Sequence, residues 1–137
     1  MAKLSFFTGD YSGGDFRRID VYINGKINKS KYYDYVRNML YNVGEGSVVI
    51  LHIDASFGDI RGAISLIDAI RGSKAKVIAN VTYAEGVASL IALACDDIRV
   101  VLGGTLVIRL LSEREDNVLQ LEEDVLDLEA WLISKIL

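Results

Sequence analysis

Few side chains in this sequence could carry out hydrolytic chemistry, and they are widely spaced. The one imidazole is His52, and the candidate hydroxyls are those of Ser56 and Ser89. A serine hydrolase needs a hydroxyl next to a base, together with a third group that orients the base. His52 lies inside an apolar run, which favours a satisfied core histidine over a general base. Ser56 stands three residues before Asp59, a spacing that predicts a helix cap more than a nucleophile.

Two other arrangements could supply a proton acceptor. A serine–lysine dyad could use Lys74 or Lys76, but both lysines stand at the entrance of a predicted strand, where solvated charge is the usual role. Glu85 follows Thr82 at capping-box spacing, which places its carboxylate at the positive end of a helix. This position favours the ionised form and makes Glu85 a poor proton donor.

Composition restricts the partners and cofactors that we expect. The 137 residues carry a formal net charge of -4 without a clustered basic stripe, which argues against nucleic acid as a partner. One cysteine, Cys95, and one histidine cannot form an intramolecular disulfide or a structural zinc site, so we expect no metal and no cofactor. No apolar run approaches the ~20 residues of a membrane span, and no signal segment is visible. We therefore expect a cytoplasmic protein without a membrane partner.

A central unit from Val48 to Leu102 has the pattern of two successive strand–helix–strand crossovers. The apolar run Val48–Ile53 predicts a parallel strand that is covered on both faces. Apolar residues at three- and four-residue steps predict a helix over Asp59–Arg71, closed by Gly72. The unit continues with a strand at Lys76–Val81, a small-residue helix at Val87–Cys95 and a strand at Arg99–Leu102. Right-handed crossovers are close to obligatory in such a unit.

The residues before this unit give weaker signals. Residues 1–17 are predicted to form an N-terminal arm or a short edge strand. Arg18–Ile23 alternates like a strand, and Asn24-Gly25 is a turn signal. Ser30 is predicted to cap a helix rich in tyrosine, whose aromatic face is most often core or interface material.

The residues after Leu102 predict a strand and a long helix. Gly103-Gly104 is expected to turn the chain into a strand at Thr105–Arg109, and a capping box from Ser112 opens a helix over residues 112–137. The apolar stripe of this helix comprises Val118, Leu121, Val125, Leu128, Trp131 and Leu132, widened by Leu119, Leu126 and Ile133. A helix packed on its own domain is one interpretation, but the width of the stripe favours an oligomerisation helix.

Three segments resemble the ClpP/crotonase superfamily, most closely the proteolytic subunit of the Clp protease. Ile53–Ile60 resembles the Ile-Asn-Ser-Pro-Gly-Gly-Ser-Val turn of that subunit, and Tyr83–Gly86 falls where it has Ala-Ala-Ser-Met. Lys76–Ile98, with Ala92-Leu93-Ala94-Cys95-Asp96, is similar to the crotonase segment that ends in Ala-x-x-Cys-Asp. The resemblance implies an α/β fold, a ClpP/crotonase-like spiral of ββα units. It further implies a core over residues 18–111 and a handle-like helix over residues 112–137.

The same resemblance implies a peptidase site whose working residues are replaced. Glu85 stands at the position of the nucleophilic serine, and Leu110-Leu111 stands at the position of the histidine. The chain ends before the segment that supplies the aspartate in that family. Only Gly58, in the turn that provides oxyanion donors, is retained. The degenerate site thus consists of Gly58, Glu85, Gly86 and Leu110, and no catalytic residue is assigned.

These replacements imply a catalytically inactive ClpP-like protein that acts through self-assembly as a scaffold, regulator or inhibitor. The expected partners are further copies in a ring or stacked rings, an active ClpP-type subunit, or a protease that the chain regulates. One alternative is a Clp-type serine peptidase or other hydrolase with relocated catalytic residues. The other is an acyl or small-molecule binder of the crotonase type, although Leu90 stands at the glutamate position of the hydratases.

Overall fold

A computed structural model describes residues 2–11, 14–108, 130–131 and 134 of the chain. Five strands form one sheet in sequential order, in which β1 is antiparallel to β2 and the strands from β2 to β5 are parallel. The strands are β1 (Ala2–Tyr11), β2 (Gly14–Ile27), β3 (Val48–Gly58), β4 (Lys76–Glu85) and β5 (Asp97–Val107). A 3₁₀ turn (Ser30–Tyr33) precedes α1 (Asp34–Asn42), and the other helices are α2 (Ile60–Gly72) and α3 (Val87–Ala94). The two predicted crossovers are confirmed as β3-α2-β4 and β4-α3-β5.

The helices pack on one face of the sheet. Three crossovers that advance the sheet in one direction place their helices on the same side when all are right-handed. Accordingly, Val49, Leu51 and Ile53 of β3 are buried, and α2 contacts both α1 and α3. All eight residues of α3 are buried, as a helix that is apolar on every side requires. None of the described helices combines the length and apolarity needed to cross a membrane.

The prediction that β3 is covered on both faces is wrong. Val48, Ile50 and His52 alternate with the buried residues and are only partly buried. The helices cover one face of the strand, so the other set of alternating side chains points away from them. The apolar run in the sequence therefore marks a strand with one fully buried face.

Strand β2 is longer than the sequence predicts. It begins at Gly14 and pairs with β1, so the edge-strand interpretation of the N-terminal residues is the one that the structure bears out. Asn24-Gly25 does not turn the chain. Gly25 has a φ of 88° and lies at a bulge, where the register with β3 shifts between Gly25 and Ile27.

The two glycines after Leu102 also form a bulge and not a turn between strands. Val81 pairs with Val100 and Tyr83 pairs with Thr105, so residues 101–104 loop out of a single strand, β5. Gly103 permits this with a φ of 80°. Leu102 lies in the looped-out segment with its side chain fully exposed.

The start of α1 is held by a tyrosine and not by Ser30. Neither the 3₁₀ turn nor α1 has a side-chain cap, so the predicted Ser30 cap is wrong. Instead, the buried Tyr33 hydroxyl accepts a hydrogen bond of 2.8 Å from the Asn28 N–H. Burial raises the pKa of Tyr33. The predicted aromatic face is divided, because Tyr33 is core while Tyr32, Tyr35 and Tyr41 are exposed.

The predicted oligomerisation helix lies largely outside the described residues. Of residues 112–137, the structure describes Ala130, Trp131 and Ser134, all three of which are helical. Trp131 packs against the core, and the Arg71 guanidinium lies 4.3 Å from the centroid of its ring. At this residue the chain contacts its own domain.

Candidate functional site

The carboxyl ends of β3 and β4 meet where the sequence predicts a degenerate site. Gly58, Glu85 and Gly86 form what we call the strand-end site. Ala55 of β3 and Ala84 of β4 are register partners just before it, and a Cβ on Gly86 would lie 3.9 Å from the Cα of Phe57. The structure therefore brings the turn at Gly58 next to the end of β4 at Glu85-Gly86. The fourth predicted residue, Leu110, lies outside the described residues.

Gly58 packs directly against the backbone of β2. Its φ is 155°, and a Cβ at this position would lie 2.2 Å from the carbonyl oxygen of Ile27. The next N–H, that of Asp59, donates to the same Ile27 oxygen at 2.8 Å. Gly62 of α2 lies equally close to the backbone of Asn28. A Cβ at Gly62 would be 1.8 Å from the Asn28 carbonyl oxygen. These contacts give both glycines a structural role.

Asp59 caps α2, so the predicted Ser56 cap is wrong. Asp59 is the N-cap residue, and its Oδ1 accepts a hydrogen bond of 2.8 Å from the Gly62 N–H. Ser56 lies within β3 and is half-buried. The capping signal in the sequence was the aspartate immediately before the helix, since Asp caps as well as Ser does.

The predicted Thr82–Glu85 capping box is also wrong. Gly86 is the N-cap of α3 and provides no side-chain hydrogen bond, while Thr82 is exposed within β4. Glu85 ends β4, is half-buried, and accepts a hydrogen bond from the Tyr83 hydroxyl. The carboxylate at the predicted nucleophile position is thus held by a neighbouring side chain of the same strand.

The candidate nucleophile Ser89 is not available for attack. Ser89 is fully buried in α3, and its hydroxyl donates to the Gly86 carbonyl at 2.5 Å. This local hydrogen bond is a common one for serine within a helix. Leu90, at the crotonase glutamate position, is likewise buried.

The lysines of the hypothetical dyad lie at the opposite end of the sheet. Lys76 is the first residue of β4 and the register partner of Val48 in β3. Ser56 stands eight residues after Val48, so Lys76 and Ser56 are separated by about 26 Å along the strands. Lys74 and Lys76 are both exposed, and Lys76 Nζ lies 3.1 Å from Asp97 Oδ2. The structure separates these lysines from Ser56.

A second polar group lies on the sheet face away from the helices. The His52 cluster consists of Asp20, Tyr22, His52 and Asn80, which come from three adjacent strands. His52 Nε2 lies 2.8 Å from Asp20 Oδ1, and Asn80 Nδ2 lies 3.2 Å from His52 Nδ1. The imidazole stacks on Tyr22 with ring centroids 4.5 Å apart and planes inclined by 9°.

Both ring nitrogens of His52 are therefore engaged. Asn80 Nδ2 can only donate, so Nδ1 accepts and Nε2 carries the proton that is donated to Asp20. Asp20 is 2% exposed, and Arg18 lies 3.4 Å from its carboxylate. The predicted satisfied histidine is confirmed in its bonding, but its side chain is 24% exposed on the open sheet face.

The sequence interpretation did not identify Asp20, Tyr22 and Asn80. Asp20 is 32 positions from His52 and Asn80 is 28 positions from it, so no local motif links them. Strand parity was the available signal, because Tyr22, His52 and Asn80 align once β2, β3 and β4 are paired. Among the described residues, no group of three or more His, Cys, Asp and Glu side chains could hold a metal ion.

No family model and no curated protein matches this sequence. Among solved structures, the chain is similar to the ClpP protease catalytic domain from Plasmodium falciparum, with a TM-score of 0.53 and 16% sequence identity. The match covers 84% of this chain and 62% of that domain, so this chain spans less than two thirds of its length. The similarity shows a ClpP-like fold.

Proposed function

We propose that this chain is a catalytically inactive protein of ClpP-like fold that works through assembly, as a scaffold, regulator or inhibitor. Its partners would be further copies of itself, an active ClpP-type subunit, or a protease that it regulates. The observation that carries the proposal is the separation of the imidazole from the strand-end site. Covalent hydrolysis needs the base next to the nucleophile.

The position of His52 supports this proposal. Asn80, its register partner, precedes Glu85 by five residues of β4, or about 16 Å. Neither ring nitrogen is open to a hydroxyl, because Asp20 and Asn80 occupy both. A hydrolase that used His52 would have to break one of these hydrogen bonds and bring the substrate to the open sheet face.

The groups at the strand-end site support it as well. Glu85 offers a carboxylate where the resemblance places a serine, and that carboxylate accepts from Tyr83. Ser89 is buried and bonded to Gly86. What the site retains is a turn fixed by backbone contacts, which could orient a carbonyl but supplies no attacking group.

The predicted handle helix provides the surface for assembly in this proposal. Light scattering of the full chain should report a species several times the 15.1 kDa of one copy. Leu126→Asp combined with Ile133→Asp should shift that species toward a monomer, because both residues lie in the predicted apolar stripe. Glu122→Ala combined with Glu129→Ala, on the polar positions, is the matched control and should leave the mass unchanged. A wild-type monomer would contradict the assembly role.

The hydrolase alternative has a separate test. A panel of short fluorogenic peptides should show no turnover above the buffer rate with the full chain. Turnover that disappears in Ser56→Ala or Ser89→Ala would assign the reaction to this polypeptide and overturn the proposal. Turnover that persists in both variants and in His52→Ala would point to a contaminating protease.

A further inference from the structure

Strand β5 is the edge of the described sheet and carries exposed apolar side chains. Among the strands that the structure describes, β5 pairs with β4 alone. Ile98 is 38% exposed and Val100 is 44% exposed, and both point to the helix side because they align with Ala79 and Val81. An edge strand of this kind is a template for pairing with another chain.

The hydrogen bonds of Val77 show which backbone groups of β5 face this edge. The Val77 carbonyl accepts from the Asp96 N–H and its N–H donates to Asp96 Oδ2, both at 2.8 Å, so Val77 faces β5. The peptide groups of Ala79, two residues further along β4, also point toward β5. In a parallel pair they bond the peptide groups on either side of the register partner Ile98, which are those of Asp97 and Arg99. Asp97 and Arg99 therefore face β4, whereas the peptide groups of Ile98 and Val100 face outward.

The charges on β5 are self-complementary. Asp97 and Arg99 lie on the open face of the sheet, as the register partners of Ile78 and Asn80. Charged side chains and bulges normally protect an edge strand. Here, however, opposite charges stand two residues apart. Asp97 lies 3.1 Å from the exposed Lys76 of its own chain and would share its carboxylate between Lys76 and a second copy, whereas Arg99 has no ion-pair partner among residues 18–108. In an antiparallel pair centred on Ile98, each Asp97 would lie opposite the second copy's Arg99.

The neighbouring registers are electrostatically unfavourable. Moving the centre of the pair to Asp97 would oppose two carboxylates, and moving it to Arg99 would oppose two guanidinium groups. Like charges directly opposite one another destabilise a strand pair. The bulge at residues 101–104 limits the pairing to residues 96–100. The charge pattern thus selects one register within a short stretch.

We propose that β5 pairs in antiparallel orientation with β5 of a second copy, about a two-fold axis at Ile98. This inference rests on the assembly role proposed above and adds a contact surface that is independent of the C-terminal helix. The peptide groups of Ile98 would exchange hydrogen bonds with those of the second copy, and Asp97 and Arg99 would form two cross-strand ion pairs. The pairing is short compared with an interface of ~1,600 Å², so it contributes a weak contact that larger assembly reinforces.

Charge exchange tests the register directly. In a pair of Arg99→Glu chains, each Asp97 would face a glutamate. In a pair of Asp97→Lys chains, each Arg99 would face a lysine. Each variant alone should self-associate about tenfold more weakly than wild type, whereas the equimolar mixture should associate as wild type does, because both pairs are then attractive. Sedimentation velocity over a concentration series measures this. A mixture no tighter than either variant alone overturns the proposed pairing.

Cross-linking provides a second test that does not depend on strong association. Asp97 and Arg99 would form a non-hydrogen-bonded pair with Cβ atoms about 4.5 Å apart, which a disulfide can span. In a Cys95→Ala background, mixed Asp97→Cys and Arg99→Cys chains should form a disulfide dimer under mild oxidation. Each variant alone is the matched control and should not cross-link, because identical positions are offset along the strands. The mixed pair also keeps one Asp97–Arg99 ion pair.

The outcomes separate this inference from the proposed function. A wild-type oligomer whose mixed thiol variants do not cross-link refutes the β5 pairing and leaves the assembly role in place. If light scattering finds a monomer but only the mixed thiol variants cross-link, the result supports the β5 pairing and refutes a stable assembly. Equal cross-linking in the mixture and in the single variants would show non-specific contact and would refute the register.

Discussion

The strand-end site and the His52 cluster share strands β3 and β4 but hold their polar groups in different ways. Around the strand-end site the backbone fixes the geometry. Gly58, with the adjacent Gly62, lies against residues 27–28, and the neighbouring Asp59 caps α2. In the His52 cluster, side chains from three strands bond one another, and one of them, Asp20, is almost fully buried. The first region is a turn fixed by backbone contacts beside the Glu85 carboxylate, and the second holds an imidazole whose two ring nitrogens bond neighbouring side chains.

Under the proposed function, this difference keeps apart two features that a hydrolytic site combines. A serine hydrolase combines a turn that orients the substrate with an aspartate–histidine pair that activates the nucleophile. Here an aspartate–histidine pair exists, but it lies about five residues back along the strands, on the face away from the helices. Because strand parity fixes the face of each side chain, this separation is built into the sheet.

The largest expected effect comes from adding a side chain at Gly62, where α2 lies against the backbone of Asn28. Gly62→Ala would place a Cβ 1.8 Å from the Asn28 carbonyl oxygen, which is backbone and cannot rotate away. We expect a loss of about 3 kcal/mol or more in the free energy of unfolding, measured by urea denaturation. Gly44→Ala is the control, since nothing lies within 4 Å of its Cβ position. Equal stability of the two variants would show that α2 does not approach Asn28 so closely.

Removing the imidazole should cost less. His52→Ala leaves the buried Asp20 carboxylate without its closest partner, and we expect a loss of about 2 kcal/mol in the free energy of unfolding. A double-mutant cycle with Asp20→Asn measures the coupling, which we expect at about 1 kcal/mol or more. Additive effects of the two substitutions would contradict a cluster held by side-chain hydrogen bonds.

Removing the N-cap of α2 should have a smaller effect on stability. It also tests whether Asp59 or Ser56 caps the helix. Asp59→Ala removes the acceptor of the Gly62 N–H and should lower the free energy of unfolding by about 1 kcal/mol. Ser56→Ala should change it by less than about 0.5 kcal/mol, since Ser56 does not cap the helix. The reverse order of effects in urea denaturation would restore the cap predicted from the sequence.

A pH effect is expected at Tyr33, whose hydroxyl accepts from the Asn28 N–H. Burial raises the pKa of Tyr33 above its ordinary value near 10, so the neutral hydroxyl favours the folded state below about pH 10. This contribution is lost as the pH rises through the folded pKa. Urea denaturation at pH 8 and above pH 10 should show a smaller alkaline loss for Tyr33→Phe than for wild type. Parallel losses would mean that Tyr33 titrates alike in both states.

Local periodicity predicted the elements of the central unit because the information lies within each element. The three- and four-residue steps of α2 and the small apolar residues of α3 specify buried helices without reference to the rest of the chain. Gly72 marked the end of α2 correctly. The strand β4 and the parallel connection on either side of it follow from the same pattern.

Features that depend on which strands are neighbours could not be predicted in this way. The open face of β3 depends on all helices lying on one side, and the Asp20–His52 bond depends on the β2–β3 register. The bulges at Gly25 and Gly103 were predicted as turns, because glycine permits positive φ in either setting. The three capping predictions, at Ser30, Ser56 and Thr82, were wrong because a capping residue or motif does not by itself reveal where its helix begins.

The most direct test of the central claim is the intact mass of the full chain after incubation with a serine-reactive fluorophosphonate. The account predicts an unchanged mass, since Ser89 is buried and bonded to Gly86, and both ring nitrogens of His52 are engaged by Asp20 and Asn80. A covalent adduct whose formation is abolished by Ser56→Ala or Ser89→Ala would contradict the account. It would show that this fold retains a working nucleophile.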